Sequence, residues 1–386
     1  MSEFRTIREL CSVVVDCPHS TPKWTANGKI VIRNKNIKHG KIDFSSPSYT
    51  DDEHFAQRIK RAKPQPGDII ITREAPIGDV GMIPENTECC LGQRMVLLRA
   101  NQSVCDNFYL LYSLQSLYVQ HQISWSEGTG TTVSNLRIPH LEQIQIPYLP
   151  LEQQAKISSV LRALEEKIEN NRRLNDNLQQ QAAALFSSLY DRTNTEVRFT
   201  DLIQILGGGT PKTGENIYWN GNIAFFTPKD VGTPYTLITE KTITEEGLSH
   251  CNSRLYPVNT VFVTARGTVG KVGMSGVPMA MNQSCYALVG KETHQLLVYF
   301  YTLKAVDRLK HKASGAVFDA ITTRDFESEQ IMKLSDDDAK AFLCIAEPMF
   351  QKVLNNCIEN LRLSTLRDSL LPKLMSGEVD VSAVQL

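Results

Sequence analysis

The chain lacks the long apolar runs and paired cysteines that would place it in several common protein classes. No apolar run approaches the roughly 20 residues of a membrane-spanning helix, so we expect no membrane association. The first residues, Met1 to Arg5, contain no apolar core of an export signal. The nine cysteines are scattered without C-x-x-C spacing, which predicts reduced thiols in a cytoplasmic protein and no zinc site.

The chain also has little net charge. Its formal charge is -1, whereas a simple DNA-coating protein neutralises phosphates with a cationic surface. The charge is uneven, however, because twelve basic residues stand against seven acidic ones between Met1 and Pro64. A local basic face is therefore expected in the N-terminal part of the chain.

Sequence motifs of catalysis are missing as well. Gly209 and Gly214 have the spacing of a phosphate-binding loop, but Glu215 stands where that loop needs lysine. There is no H-E-x-x-H sequence, and no Asn/Asp-Pro-Pro-aromatic sequence for adenine-N6 methylation. Asp68 and Glu74 are not followed by the x-Lys of a metal-dependent nuclease. The sequence thus predicts no catalytic residue and no metal ligand in this chain.

The strongest internal signal is a duplication with a period of about 190 residues. Residues 67–82, GDIIITREAPIGDVGM, match residues 259–274, NTVFVTARGTVGKVGM. Each copy is typical of an apolar strand followed by a glycine turn. Other repeated features are Arg33-Asn34-Lys35-Asn36-Ile37 with Thr227-Pro228-Lys229-Asp230-Val231, and Gln93 with Gln283. Two unequal copies fill the chain, and a duplicated scaffold usually duplicates a binding surface.

Each copy ends in a long amphipathic helix. Residues 151–191 contain neither glycine nor proline and have apolar residues at helical spacing, which predicts a helix of about 60 Å. The second helix should begin near Asp336, be started or kinked at Pro348, and be broken near Leu371 by Pro372 and Gly377. A compact domain cannot bury so long an apolar stripe. The helices should therefore pack antiparallel, with a globular half at each end, or dock onto a partner.

Two asparagine pairs occupy matching positions in these helices. Asn170-Asn171 corresponds to Asn355-Asn356 when the two helices are aligned. A buried asparagine in a helix pair fixes the register at some cost in stability. The alternative is that all four side chains face solvent.

Three passages resemble the specificity subunit of type I restriction–modification enzymes. They are Gly208-Gly209-Thr210-Pro211-Lys212 through Tyr218-Trp219-Asn220-Gly221 to Thr227-Pro228-Lys229-Asp230, Pro150-Leu151-Glu152-Gln153-Gln154 with Glu166-Lys167-Ile168-Glu169-Asn170-Asn171, and the terminal stretch LRDSLLPKLMSGE at residues 366–378. The resemblance covers essentially the whole chain. It implies two target-recognition domains that each read half of a split DNA site, and helices that set the spacing and bind two methyltransferase subunits. In the first half CPHSTP at residues 17–22 replaces the glycine-rich stretch, so the two halves should read different sequences.

The expected architecture is an α+β fold with pseudo-twofold symmetry. Two globular target-recognition domains alternate with two long helices that pack as an antiparallel coiled coil. The expected boundaries are 1–149 for the first domain, 150–192 for the central helix, 193–334 for the second domain, 335–378 for the C-terminal helix and 379–386 for a tail.

The expected function is sequence-specific recognition of an asymmetric bipartite site in double-stranded DNA, without catalysis. The resemblance implies partnership with two methyltransferase subunits and, through them, with restriction (translocase) subunits. S-adenosylmethionine, ATP and magnesium are then cofactors of those partners and not of this chain.

Candidate DNA-contacting residues are those whose side chains suit base edges or phosphates. Arginine suits guanine, and asparagine or glutamine suits adenine, because each can bond bidentately to a major-groove edge. The candidates are Lys23, Arg33, Lys35, Asn36, Arg73, Gln93 and Arg94 in the first half, and Lys212, Lys229, Arg266, Lys271 and Gln283 in the second. Trp24 and Trp219 are candidates for stacking near the DNA backbone. The alternatives are that the glutamines brace a loop and that Trp219 packs in the core.

Other functions stay open on the sequence alone. A similar recognition subunit can serve a fused methylase–nuclease polypeptide. A coiled-coil scaffold would bind only protein. A stand-alone nuclease would cut DNA in the presence of magnesium.

Overall fold

A computed structural model describes residues 3–38, 40–125, 135–232, 234–312 and 320–381. Contacts divide the chain into two compact units, a first unit of Met1–Glu166 with Leu363–Leu386 and a second unit of Lys167–Arg362. Within the described ranges no helix combines the length and apolarity needed to cross a bilayer. The boundaries expected from the sequence stay a prediction, and residues 382–386 of the expected tail lie outside the described residues.

The first unit is an α+β structure built on small mixed sheets. Its strands are β1 (Glu3–Thr6), β2 (Cys11–Asp16), β3 (Lys29–Ile32), β4 (Ile37–Lys38), β5 (Lys41–Ile42), β6 (Ser48–Thr50), β7 (Ile69–Thr72), β8 (Val80–Met82), β9 (Cys89–Leu91), β10 (Met95–Ala100) and β11 (Gln145–Tyr148). Its short helices are α1 (Ile7–Leu10), α2 (Asp52–Arg58), α3 (Asn107–Gln115), α4 (Leu117–Trp125) and α5 (Ile138–Gln143). The strands pair in the orders β2-β10-β7-β8, β6-β3-β9, β1-β11 and β4-β5.

The second unit repeats this arrangement. After the long helix α6 (Leu151–Tyr190) come β12 (Glu196–Arg198), α7 (Phe199–Leu202), β13 (Ile203–Gly207), β14 (Trp219–Phe226), β15 (Tyr235–Thr236), β16 (Lys241–Ile243), α8 (Glu245–Ser249), β17 (Val261–Thr264), β18 (Val272–Ser275), β19 (Met279–Met281), β20 (Cys285–Gly290), α9 (Gln295–Lys312), α10 (Thr323–Ser328), β21 (Gln330–Met332) and α11 (Asp336–Ser376). The strand orders are β13-β20-β17-β18-β15, β16-β14-β19 and β12-β21. Apart from β15, which the four-stranded sheet lacks, each order matches one in the first unit, and this agreement confirms the duplication.

The repeated GDIIITREAPIGDVGM segment forms the same hairpin in both units. Thr72 is fully buried, its carbonyl accepts from Gly78 N at 2.9 Å, and its hydroxyl accepts from Asp79 N at 2.9 Å. Thr264 is also fully buried, and it accepts from the Gly270 and Lys271 amides at the same distances. The turn glycines have φ values of +81° and +74°, a region that L side chains disfavour. The shared threonine and glycine are therefore explained by one turn geometry.

The helices α6 and α11 pack antiparallel within each unit. In the second unit Asn171 of α6 bonds to Glu359 of α11, and the ring of Phe186 packs against that of Phe342. The residue number thus rises along α6 as it falls along α11, which is the antiparallel arrangement. In the first unit Glu165 lies 3.5 Å from Arg367. The predicted α+β class with two long antiparallel helices is thereby confirmed.

Proline does not end α11 where the sequence predicted. The helix is continuous from Asp336 through Pro348 and Pro372 to Ser376, and Gly377 follows with φ +74°. Leu374 and Met375, which follow Pro372, are buried in the core of the first unit. That packing offsets the hydrogen bond that a proline removes, so the prediction of a break near Leu371 was wrong and the glycine marks the end.

One asparagine of each predicted pair is buried between the helices. Asn171 is 3% exposed and donates to Glu359 Oε2 at 2.7 Å and to Asn360 Oδ1 at 2.9 Å. Asn356 is 1% exposed and donates to Asn175 Oδ1 at 2.7 Å. Their neighbours Asn170 and Asn355 are exposed. The buried members make specific cross-helix bonds, as expected for residues that fix register.

We predict that Asn171→Ala destabilises the chain and that Asn170→Ala does not. The first substitution removes two hydrogen bonds from a buried amide, which costs about 1–3 kcal/mol in the free energy of unfolding. The second changes an exposed side chain, with an expected effect within about 0.5 kcal/mol. Urea unfolding of both variants at neutral pH measures the difference, and equal stabilities would contradict the proposed register contact.

The cost of Asn171→Ala should depend on pH. The Asn171 amide lowers the pKa of the Glu359 carboxyl because it donates a hydrogen bond to the charged carboxylate. The nearby charge of Lys167 lowers this pKa further. A carboxyl whose pKa is lower in the folded than in the unfolded state stabilises the fold at pH values above its unfolded-state pKa. This stabilisation is lost as the pH falls through the folded-state pKa. The stability gap between Asn171→Ala and wild type should therefore narrow in acid. A gap independent of pH would show that the bond to Glu359 contributes nothing.

Candidate nucleic-acid interface

Each unit has a cleft at the carboxyl end of a parallel strand pair. In the first unit β3 and β9 run parallel with Ile32 opposite Leu91, so the next residues, Arg33 and Gly92, emerge at one edge. In the second unit β14 and β19 run parallel with Phe226 opposite Met281. Loops at such an edge commonly carry side chains that bind ligands, because the rigid strands fix the point at which each loop begins.

The first cleft has a volume of about 410 Å³. Its lining residues are Pro22, Trp24, Arg33, Asn34, Lys35, Ala75, Gly92, Gln93 and Arg94. Four of the predicted DNA-contacting residues, Arg33, Lys35, Gln93 and Arg94, are thus brought together although up to 61 positions separate them in the chain.

The second cleft has a volume of about 370 Å³ and is lined by corresponding segments. Its lining residues are Thr227, Pro228, Lys229, Glu240, Lys241, Arg266, Gly267, Asn282 and Ser284. Thr227 to Lys229 repeat the segment of Arg33 to Lys35, and Asn282 to Ser284 follow β19 as Gly92 to Arg94 follow β9. Of the predicted residues, Lys229 and Arg266 line this cleft.

Basic side chains dominate both clefts, but their environments differ. In the first, Arg94 Nε lies 3.2 Å from Glu74 Oε2, and Lys35 Nζ donates to Ser46 Oγ at 3.3 Å. In the second, Lys229 Nζ lies 3.4 Å from Glu240 Oε2. Each cleft has three basic side chains on its walls, which gives it a positive potential suited to a phosphate backbone.

An indole ring lies beside a cation at each cleft. The Arg33 guanidinium carbon is 5.0 Å from the centroid of Trp24, whose side chain is 45% exposed. Lys241 Nζ is 5.6 Å from the centroid of Trp219. Trp219 also packs edge-on against Phe225 and donates its indole N–H to the Lys212 carbonyl at 3.1 Å, so its ring is fixed in the fold. Trp24 is the more available surface for a base or a sugar.

Each of the two predicted glutamines bonds to the loop that precedes a cleft strand, β3 in the first unit and β14 in the second. Gln93 Nε2 donates to the His19 carbonyl, and Gln283 Oε1 accepts from the Thr210 hydroxyl. These loops are the CPHSTP segment in the first half and the glycine-rich segment in the second. The bracing alternative therefore describes the contacts that these side chains make in the structure.

Two other predicted residues are engaged in the fold. Arg73 bonds both carboxylate oxygens of Asp16 at 2.9 Å and the Leu136 carbonyl at 2.9 Å, and its side chain is 12% exposed. Asn36 is buried, accepts from Arg33 N and donates to the Asp43 carbonyl. Both side chains are thus bonded within the fold, and neither lines the first cleft.

The remaining predicted residues lie outside the lining of the clefts. Lys23 is 3.3 Å from Asp51, and its side chain is 64% exposed. Lys212 and Lys271 are exposed. Sequence reasoning missed Asn34, Lys241, Asn282 and Ser284 as lining residues. The signal for Asn282 and Ser284 was present, because they flank Gln283 in the repeat.

In the described part of the chain no group of three or more metal-ligating side chains lies together. All nine cysteines are free thiols. Burial raises the pKa of the Cys89 and Cys285 thiols to about 12, which keeps them protonated and unreactive at neutral pH.

The sequence and the fold were compared with known proteins. The family described as "Type I restriction modification DNA specificity domain" matches residues 3–180 and again residues 192–333. The chain is 23% identical over 342 residues to the type I restriction enzyme MjaIX specificity subunit of Methanocaldococcus jannaschii, a match that covers 82% of this chain and 78% of the relative. It is 22% identical over 411 residues to the putative type I restriction enzyme MjaX specificity subunit of the same organism, covering 98% and 94%.

A solved structure shares the fold. The crystal structure of a type I restriction–modification system S subunit from M. genitalium aligns with a TM-score of 0.62 over 97% of this chain and 96% of that chain, at 18% identity. The two family matches fall on the two repeats, and together they cover most of the chain. The protein therefore belongs to the type I restriction–modification DNA specificity family, and its function is DNA recognition.

Proposed function

We propose that the two clefts each read one half of an asymmetric bipartite site in double-stranded DNA. The observation that carries this proposal is the presence of two clefts on corresponding strand edges, each with three basic side chains on its walls. Duplication of the cleft supports two half-sites. The different residues at corresponding wall positions, such as Arg33 and Thr227, support different half-site sequences.

We propose that the long helices dock two methyltransferase subunits and set the spacing between the half-sites. The helix pair leaves large apolar side chains exposed, with Leu174 at 41%, Ile345 at 48% and Leu366 at 44%. These side chains are available on the helix surface for contact with a partner. Restriction subunits would join through the methyltransferases.

The chemistry in this proposal belongs to the partners. In this proposal the chain supplies recognition and no catalytic step. S-adenosylmethionine would bind the methyltransferase subunits, and ATP and magnesium the restriction subunits. A cytoplasmic location is part of the same proposal.

Mapping of adenine methylation tests the proposed function. The chain is co-expressed with its cognate methyltransferase in a host without adenine methylation, and the matched control lacks the chain. We expect methylation at one asymmetric motif with a fixed, unread spacer, and none in the control. An uninterrupted motif, or methylation that does not need this chain, would overturn the proposal.

The same preparation separates the other functions. A single co-purified partner that joins methylase and nuclease in one polypeptide would indicate a fused system. A complex without a salt-dependent, sequence-specific shift of duplex DNA would indicate a protein-binding scaffold. Magnesium-dependent cutting by the purified chain alone would indicate a nuclease.

We predict that lengthening both helices lengthens the DNA spacer. Seven residues inserted after Glu166 and seven after Arg362 add about 10 Å to each helix and keep the apolar stripe nearly in phase. The preferred spacer should grow by about three base pairs. Methylation mapping measures it, and an unchanged spacer would contradict a role of the helices in spacing.

A five-residue insertion at the same points serves as the control. It turns the stripe by about 140°, so the helices can no longer bury it. We expect loss of stability and of methylation, without a new spacer length.

A further inference from the structure

The basic side chains of the two clefts differ in whether a carboxylate neutralises them. Arg94 is paired with Glu74 in the first cleft, and Lys229 with Glu240 in the second. Arg33 and Arg266 make no ion pair with any residue in the described ranges. Each cleft thus has one arginine whose charge is uncompensated and whose fork of donors is free for a ligand.

Arg33 is held in a defined position. Its backbone N–H donates to Asn36 Oδ1 at 3.0 Å, and its guanidinium lies over the exposed face of Trp24. A cation over an indole is stabilised without using its hydrogen-bond donors. The next residue, Asn34, is fixed by a 2.6 Å bond from its amide to the Glu74 carbonyl. The backbone and the ring therefore orient the guanidinium donors, and no residue of the described ranges forms an ion pair with them.

Arg266 is anchored by its backbone in a similar way. Ala265 and Arg266 donate their N–H groups to the Ser284 carbonyl at 2.8 and 3.2 Å. The Arg266 side chain is exposed on the wall of the cleft. Gly267, which follows, has no described heavy atom within 4 Å of an added Cβ.

The two arginines do not occupy corresponding positions. Thr227 in the second unit corresponds to Arg33, and Glu74 in the first unit corresponds to Arg266. Glu74 is the residue that neutralises Arg94. Arg33 follows the strand β3 of the three-stranded sheet, whereas Arg266 follows β17 of the larger sheet. The free arginine therefore comes from a different wall in each cleft.

We propose that Arg33 and Arg266 are the guanine-reading residues of the first and second half-sites, and that Trp24 is a positioning residue for Arg33. This inference rests on the proposed function. Arginine bonds guanine O6 and N7 with two donors of one rigid plane, whereas lysine must reach both atoms from a single ammonium on a flexible stem. Because the two walls differ, the guanines read in the two half-sites lie at different places relative to the half-site ends.

The test measures base preference in each half-site separately. Arg33→Lys and Arg266→Lys are assembled with the cognate methyltransferase, and initial methylation rates are measured on duplexes that vary at every position of the site. Arg33→Lys should lower the preference for one guanine of the first half-site about tenfold and leave the second half-site unchanged. Arg266→Lys should do the reverse. Trp24→Leu should weaken the same preference as Arg33→Lys.

Matched controls are available in both units. Arg61 and Arg254 are exposed arginines that do not line the two clefts. Arg61→Lys and Arg254→Lys should keep the preference of the wild-type complex at every position. Normal rates on non-varied substrate in these controls show that the assembly is intact.

Three outcomes would overturn the inference. The first is a half-site that contains no preferred guanine. The second is an Arg33→Lys complex with unchanged preferences. The third is an Arg33→Ala complex that binds all sequences more weakly and has a smaller salt dependence, which is the behaviour of a phosphate contact. The proposed function fails separately, if the wild-type complex recognises no bipartite site.

Discussion

Burial of the long apolar stripes of α6 and α11 is the constraint from which the arrangement of each unit follows. In the first unit Ile157 and Leu161 of α6 join Leu374 of α11 in the core of the globular part. In the second unit Phe186 and Phe342 pack together with Phe300 of α9. Each globular part therefore shares one core with the helices and cannot rotate freely on them. The bonds of Asn171 and Asn356 add register to this apolar contact.

The clefts depend on the same rigid background. The hairpins at Thr72 and Thr264 have one geometry, and Gln93 and Gln283 tie corresponding loops. Residues that shape a cleft are thus alike in the two units. On the walls Lys35 and Lys229 are also alike, whereas Arg33 differs from Thr227 and Glu74 differs from Arg266. In such a fold the residues that hold the cleft in shape are distinct from those that could contact DNA. Wall residues at strand ends can therefore change without disturbing the buried turns. The proposed asymmetric recognition would use these wall differences on a duplicated scaffold.

Much of the fold could be predicted because its signals are local or periodic. The internal repeat predicted the two matching hairpins, and the 3.6-residue spacing of apolar side chains predicted both long helices. The failures depend on contacts distant in sequence. Burial of Leu374 and Met375 lets α11 continue past Pro372. Arg73 and Asn36 resembled DNA contacts by residue type, but Asp16, Leu136 and Asp43 bond them within the fold. Similarly, only the structure distinguishes Arg94, paired with Glu74, from the free Arg33.

Photo-cross-linking from the cleft walls tests the central claim most directly. A benzoylphenylalanine is placed at Lys35 in one preparation and at Thr227 in another, and each is assembled with the methyltransferase on the mapped DNA site. The account predicts cross-links to one half-site from the first position, to the other half-site from the second, and none to the spacer. Cross-links from both positions to the same half-site, or to the spacer, would contradict it.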